Sequence, residues 1–125
     1  MVFQPQIAPM TIEQLKEHAA LPENADRLFE LIDGEIVEKM PGSTRNSMLA
    51  FNIGFFVQTF CQQHNLPCYV TIGDGAYNVN GNVVAPDFGY KQTPTAEAYP
   101  DPEPPLWAVE VISSNDKAAE IRKND

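Results

Sequence analysis

The sequence is poor in positive charge. Its 125 residues hold eight Lys and Arg against seventeen Asp and Glu, a formal net charge of −9. A protein that grips any phosphate backbone ordinarily shows a basic face, so broad nonspecific nucleic-acid binding is disfavoured. Two roles for the acids stay open: gathering carboxylates around a divalent cation, or keeping the surface soluble. Cysteine is scarce too. Cys61 and Cys68 are the only pair, with no Cys or His cluster beside them, which counts against a zinc site. Two reduced, packed thiols are expected rather than a disulfide. No apolar run approaches the roughly 20 residues of a membrane span. The start, Met1-Val2-Phe3-Gln4-Pro5, lacks the basic and apolar blocks of a secretory leader. A cytoplasmic protein is the expectation. There is no internal repeat, no low-complexity tract and no nucleophilic Ser or Cys motif. Gly73-Asp74-Gly75 is too short to cradle a phosphate and reads as a turn.

What is present suits one globular domain. Hydrophobic residues make up 43% and charged residues 20%, and seven Phe, four Tyr and one Trp can fill a modest core. Residues 1–10 read as a loose, flexible arm, and residues 11–125 as a single domain. Thr11-Ile12-Glu13-Gln14 is a capping-box pattern that opens a short helix with Ile12, Leu15 and Ala19 on one face. Residues 27–40 read as a hairpin turned at Asp33-Gly34. The clearest helix covers residues 45–64. Its two adjacent apolar stripes, Met48-Phe51-Phe55 and Leu49-Ile53-Phe56-Phe60, predict burial against a sheet. Cys68-Tyr69-Val70-Thr71-Ile72 reads as a strand, and residues 76–85 as a second hairpin turned at Asn80-Gly81. After a proline-rich loop, Leu106-Trp107-Ala108-Val109-Glu110-Val111-Ile112 has the near-continuous apolar character of a strand buried on both faces. Ser113 or Ser114 can cap a final helix that runs to the end. The order predicts an α+β fold with helices packed on a mixed sheet.

Two acids stand out against this pattern. Glu110 lies inside the apolar strand, where a carboxylate is costly to bury unless paired, protonated or metal-bound. Asp87 follows Val83-Val84-Ala85-Pro86, where the proline blocks ladder pairing and the chain must bend. Neighbouring strands that each carry one acid near an exit can bring both to one rim of the sheet. Converging carboxylates repel unless a proton or cation sits between them. Oxygen ligands favour Mg²⁺ or Mn²⁺, which also reverses the local sign of the site. The plainer account is that each acid is a solvated rim residue.

At this point the sequence resembles a known family. Leu31-Ile32-Asp33-Gly34-Glu35-Ile36-Val37-Glu38, then Ala85-Pro86-Asp87, then Trp107-Ala108-Val109-Glu110-Val111-Ile112-Ser113 are similar, in order and spacing, to a widespread bacterial family of restriction endonuclease-like proteins. That family belongs to the PD-(D/E)XK nuclease superfamily. The resemblance implies a restriction-endonuclease-like αβββαβ core, here preceded by the N-terminal helix and hairpin. It implies Mg²⁺- or Mn²⁺-dependent cleavage of nucleic acid, DNA before RNA, and a homodimer. Pro86-Asp87 matches the superfamily's PD and Glu110 its D/E, so Asp87 and Glu110 are the implied metal ligands. Glu35 matches a glutamate of the family and would be an accessory catalytic acid.

Three departures follow. The motif lysine should stand two residues past Glu110, where this chain has Ile112. The family's lysine comes instead from the following helix, where Lys123 is the nearest candidate, although the usual spacing falls on Asn124. Lys117, in the first turn, fits less well. Asn46 stands where family members commonly carry histidine. The expected remainder of the last helix and the closing strand are absent, as in a shortened member. His64 suits the end of the long helix, and His18 has no nameable partner. The leading expectation is therefore a metal-dependent endonuclease using Asp87, Glu110, Lys123 and Glu35. The alternatives are a catalytically silent domain of the same fold that serves protein interaction, or a truncated product without function.

Overall fold

The computed structural model describes residues 8–112. The chain divides into two compact units. The first takes the chain up to Met40, then Ala76–Ala85 and Ala96–Pro104; the second takes Pro41–Gly75, Pro86–Thr95 and the chain from Pro105.

The first unit is built on α1 (Ile12–Ala19) and strands β1 (Leu28–Ile32), β2 (Glu35–Lys39), β4 (Tyr77–Val79) and β5 (Asn82–Val84). Its sheet runs β2-β1-β5-β4, every ladder antiparallel. Both hairpin turns fall where Asp33-Gly34 and Asn80-Gly81 predict. All four residues have positive φ (50°, 81°, 54° and 87°), the conformation whose twist suits a two-residue hairpin. Gly34 is required twice over, because a Cβ there would also lie 2.4 Å from the Pro9 Cβ. Met10 N–H donates to the Gly34 carbonyl at 2.8 Å, so residues 9–10 lie against the hairpin rather than loose.

The predicted capping box is present: Gln14 N–H donates to Thr11 Oγ1 at 3.1 Å, and Thr11 N–H to Gln14 Oε1 at 2.8 Å. It fixes the rotation of α1, which sets Leu15 into a core with Phe29, Leu31 and Val83. Ile12, Ala19, Ile36 and Ala76 pack around that cluster.

The second unit holds α2 (Thr44–Gln63) and strands β3 (Tyr69–Ile72), β6 (Phe88–Lys91) and β7 (Trp107–Val109). Its sheet runs β3-β6-β7, again antiparallel. The Ser43 hydroxyl caps α2 by accepting from Asn46 N–H at 3.2 Å. Ala50, Gly54 and Cys61 are its buried residues. A Cβ on Gly54 would lie 3.2 Å from Val70 Cγ1, which shows how near the helix backbone runs to the sheet.

The α+β class stands, with four corrections of detail. The expected mixed sheet is two antiparallel sheets among the described residues, and the parallel contact present is an isolated bridge between Tyr77 and Asp101. The strand expected over residues 106–112 covers only Trp107–Val109 and is not buried on both faces: Leu106 is 68% exposed and Trp107 49%. The central, most buried strand of that sheet is β6, whose sequence Phe88-Gly89-Tyr90-Lys91 carries no plain apolar alternation and went unpredicted. Finally, the apolar stripes of α2 face outward, with Phe55 60% and Phe56 72% exposed. The expected last helix lies outside the described residues.

Candidate functional site

The candidate site lies in the second unit, at the start of β6. Pro86 offers no N–H to a ladder, so the pairing of β5 stops there. Side chains of the first unit take over the backbone at Ala85. The Glu30 carboxylate accepts from its N–H at 2.9 Å, and the Lys39 ammonium donates to its carbonyl. Asp87 then occupies a bend immediately before β6.

In the second unit β6 and β7 pair Phe88 with Val109, Gly89 with Ala108 and Tyr90 with Trp107. The ladder ends at Phe88 and Val109, so Asp87 immediately precedes β6 and Glu110 immediately follows β7. The ends are tied together, because Val111 N–H donates to Asp87 Oδ2 at 2.6 Å. A charge-assisted bond of this kind holds a carboxylate more firmly than a neutral one. Asp87 is half-buried and Glu110 exposed. The reasoning from the cost of burying Glu110 therefore fails; it follows the last residue of a short strand and meets solvent. What survives is that each acid adjoins one residue of the Phe88–Val109 pair that ends the β6–β7 ladder.

The other predicted residues are placed differently. Glu35 is exposed at the first residue of β2, in the first unit, whereas Asp87 and Glu110 belong to the second. Glu35 lines an open groove of about 660 Å³ shared with His18, Arg27, Phe29 and Glu38. In that groove Arg27 makes a two-pronged contact with Glu38, both bonds 2.8 Å, and sits 5.1 Å from the Phe29 ring centroid. The hydrogen bonds from Arg27 hold Glu38 below the usual carboxylate range and raise the guanidinium in turn. His18, which lacked a nameable partner, stands edge-on to Phe29 at 4.7 Å. His64 caps α2 with its ring 4.2 Å from Phe60. Lys123 and Lys117 lie outside the described residues.

Two buried charges escaped sequence reasoning. Asp101 accepts from Ala96 N–H at 3.2 Å and Glu103 N–H at 3.0 Å, and its backbone joins Ala76 and Asn78 beside β4. The bond to the residue two ahead is an Asx turn, a signal that Asp101-Pro102-Glu103 does carry. Lys91, 1% exposed at the end of β6, donates to the Pro94 carbonyl at 3.3 Å. Both anchor loops. Cys61 and Cys68 are free thiols. Burial first, and the neighbouring Cys61 second, push the Cys68 thiol up to about 12, so it stays protonated and unreactive near neutrality.

Among known proteins, the sequence profile described as "Uma2: Putative restriction endonuclease" matches residues 15–124. The chain belongs to the Uma2 family. That bears out the resemblance to restriction endonuclease-like proteins read from the three motifs. A crystal structure from Anabaena variabilis, titled as a putative nuclease belonging to DUF820, superposes with a TM-score of 0.66 at 19% identity. The match covers 88% of this chain and 64% of that one, so the Uma2 chain described here spans just under two thirds of its solved relative. At that identity the likeness establishes the fold alone. No curated protein matches the sequence. Among the described residues no helix is long and apolar enough to cross a membrane.

Carboxylate oxygens such as those of Asp87 and Glu110 are donors of the kind a hard divalent cation takes. No group of three or more His, Cys, Asp or Glu that could hold a metal is found among the described residues. Mg²⁺ does not require one: it is commonly held by one or two carboxylates and keeps several waters. Asp87 and Glu110 would be two such carboxylates, and oxygen donors disfavour zinc.

Proposed function

We propose that this Uma2 protein is a metal-dependent endonuclease that hydrolyses phosphodiester bonds, in DNA before RNA, at the Asp87–Glu110 end of β6–β7. The observations that support the reading are the β6–β7 pairing, whose last pair Phe88 and Val109 adjoins the two acids, and the Val111 N–H bonded to Asp87. Asp87 and Glu110 would hold Mg²⁺ or Mn²⁺, which when bound polarises a phosphoryl oxygen and lowers the pKa of a coordinated water.

The chain's own contribution is positioning. The Val111 amide fixes one Asp87 oxygen, so that carboxylate does not swing away when the site binds or releases charge. Each acid directly adjoins a paired strand residue, Asp87 before Phe88 and Glu110 after Val109, which would limit the movement of its backbone. Lys123 would offset developing negative charge on the phosphoryl group, and Glu35 would act as an accessory acid. With a net charge of −9 the protein repels nucleic acid at long range, so association should depend on the cation.

The test is supercoiled plasmid and single-stranded RNA incubated with the purified protein and Mg²⁺ or Mn²⁺. Nicking that needs the metal is expected. It should fall at least about a hundredfold in Asp87→Ala and in Glu110→Ala, the scale of losing an electrostatic element of catalysis. Equal nicking by the wild type and both variants would rule the mechanism out. The second reading, a silent domain of the same fold, is favoured by Ile112 at the motif lysine position. Titration calorimetry separates the two, since a silent domain gives no Mg²⁺ heat that Asp87→Ala abolishes.

A further inference from the structure

We propose that the outer face of α2 is the surface through which two copies of this chain pair. The helix is 20 residues long and sets only Ala50, Gly54 and Cys61 fully against its own unit. Met48, Phe51 and Phe55 form one exposed stripe, and Leu49, Phe56 and Phe60 a second. Their exposures run from 39% to 72%. Six large apolar side chains along one side of a helix are more than a solitary protein ordinarily leaves in solvent, so this face is one to be covered.

Charge decides in favour of a second copy. From Asn46 to Gly73 the sequence holds no Asp, Glu, Lys or Arg, although the chain as a whole carries −9. Two identical acidic molecules repel each other elsewhere, but they can meet on this helix without burying a like-charged pair. A basic or acidic partner would find no counter-charge on α2 beyond Arg45 in its first turn. The area agrees. With aromatic and large aliphatic side chains offering roughly 150–250 Å² each, these exposures leave roughly 700 Å² of apolar surface per copy. A standard stable interface buries about 800 Å² per partner, and solitary proteins seldom expose a patch this large. Phe55 and Phe56 stand near the middle of the helix, where a two-fold axis would set each α2 across the other in a closed, self-complementary contact.

Sedimentation velocity on the whole chain over a wide dilution series tests the proposal. The expected species has twice the mass of one chain and dissociates on dilution. Phe55→Asp and Phe56→Asp should each weaken pairing roughly thirtyfold or more, the size of a central hot-spot loss, while circular dichroism and a cooperative melt show the fold intact. Leu106→Asp, at an equally exposed apolar position away from α2, should pair like the wild type. Asp87→Ala should also pair normally, which keeps this result separate from the nuclease assay. A wild type that stays monomeric at every concentration overturns the inference. So does a dimer that survives both phenylalanine changes, or assembly that grows beyond two copies.

Discussion

In the first unit the large apolar side chains of α1, β1 and β5 turn inward: Leu15, Phe29, Leu31 and Val83 are all buried against one another. In the second unit α2 turns its small residues inward and its large ones out. The two units use the same kind of apolar periodicity for different ends. One closes a core within itself, and the other lets small residues bring a helix near its sheet while six large side chains stay in solvent. Periodicity reports that a face must be covered; side-chain size along the helix reports which face the fold itself covers.

The strongest way to break that comparison is to truncate one residue on each side of it. Leu31 is 1% exposed, and Leu31→Ala should cost about 2–5 kcal/mol by lost burial and a residual cavity. Phe56→Ala removes a larger side chain, yet at 72% exposure its effect on a dilute sample should stay within about 0.5 kcal/mol. Urea denaturation measures both. Equal losses would mean that Phe56 is buried in solution even at low concentration.

Much of the first unit was legible in the sequence because local chemistry determines it. A capping box and two turns with positive φ name their own positions, and α1, β1 and β2 fall where those signals put them. The second unit was harder. Its central strand contains Gly89 and the buried Lys91, so no alternation marks it, and β6 owes its place to pairing on both sides with β3 and β7. The candidate site was legible in part for the same reason. Pro86 marked the bend that puts Asp87 at a strand start. The apolar run around Glu110 pointed to a burial that the structure does not have, because among the described residues β7 is the last strand of its sheet. The expectation that each acid stands at a strand end did hold, Asp87 before β6 and Glu110 after β7.

A middle-sized effect sharpens the account of α2. Gly54 is the place where the helix runs nearest its sheet, 3.2 Å from a prospective Cβ to Val70 Cγ1. Gly54→Val should cost about 1–3 kcal/mol by overpacking. Gly54→Ala should stay within about 1 kcal/mol, since the helix propensity gained offsets a small shift of one valine methyl. A thermal melt decides it. If Gly54→Val is neutral, the inner face of α2 is packed as loosely as the outer one, and the contrast between the faces disappears.

The smallest effect expected belongs to the surface of the first unit. Arg27 holds Glu38 by two 2.8 Å hydrogen bonds, which lowers the Glu38 pKa below that of the unfolded chain. A carboxylate depressed in the folded state binds its proton more weakly there than when unfolded. Its contribution is therefore fully present above the unfolded value and is lost as the pH falls through the folded one. Glu38→Gln removes that proton linkage. The variant should melt slightly below the wild type at neutral pH, and the gap should close on acidification, since a protonated Glu38 is as neutral as glutamine. Both groups are in contact with solvent and salt screens such pairs, so the neutral-pH gap should also narrow as ionic strength rises. A gap that persists unchanged at low pH would show that Glu38 supports the β1–β2 hairpin through packing on Arg27 and not through charge.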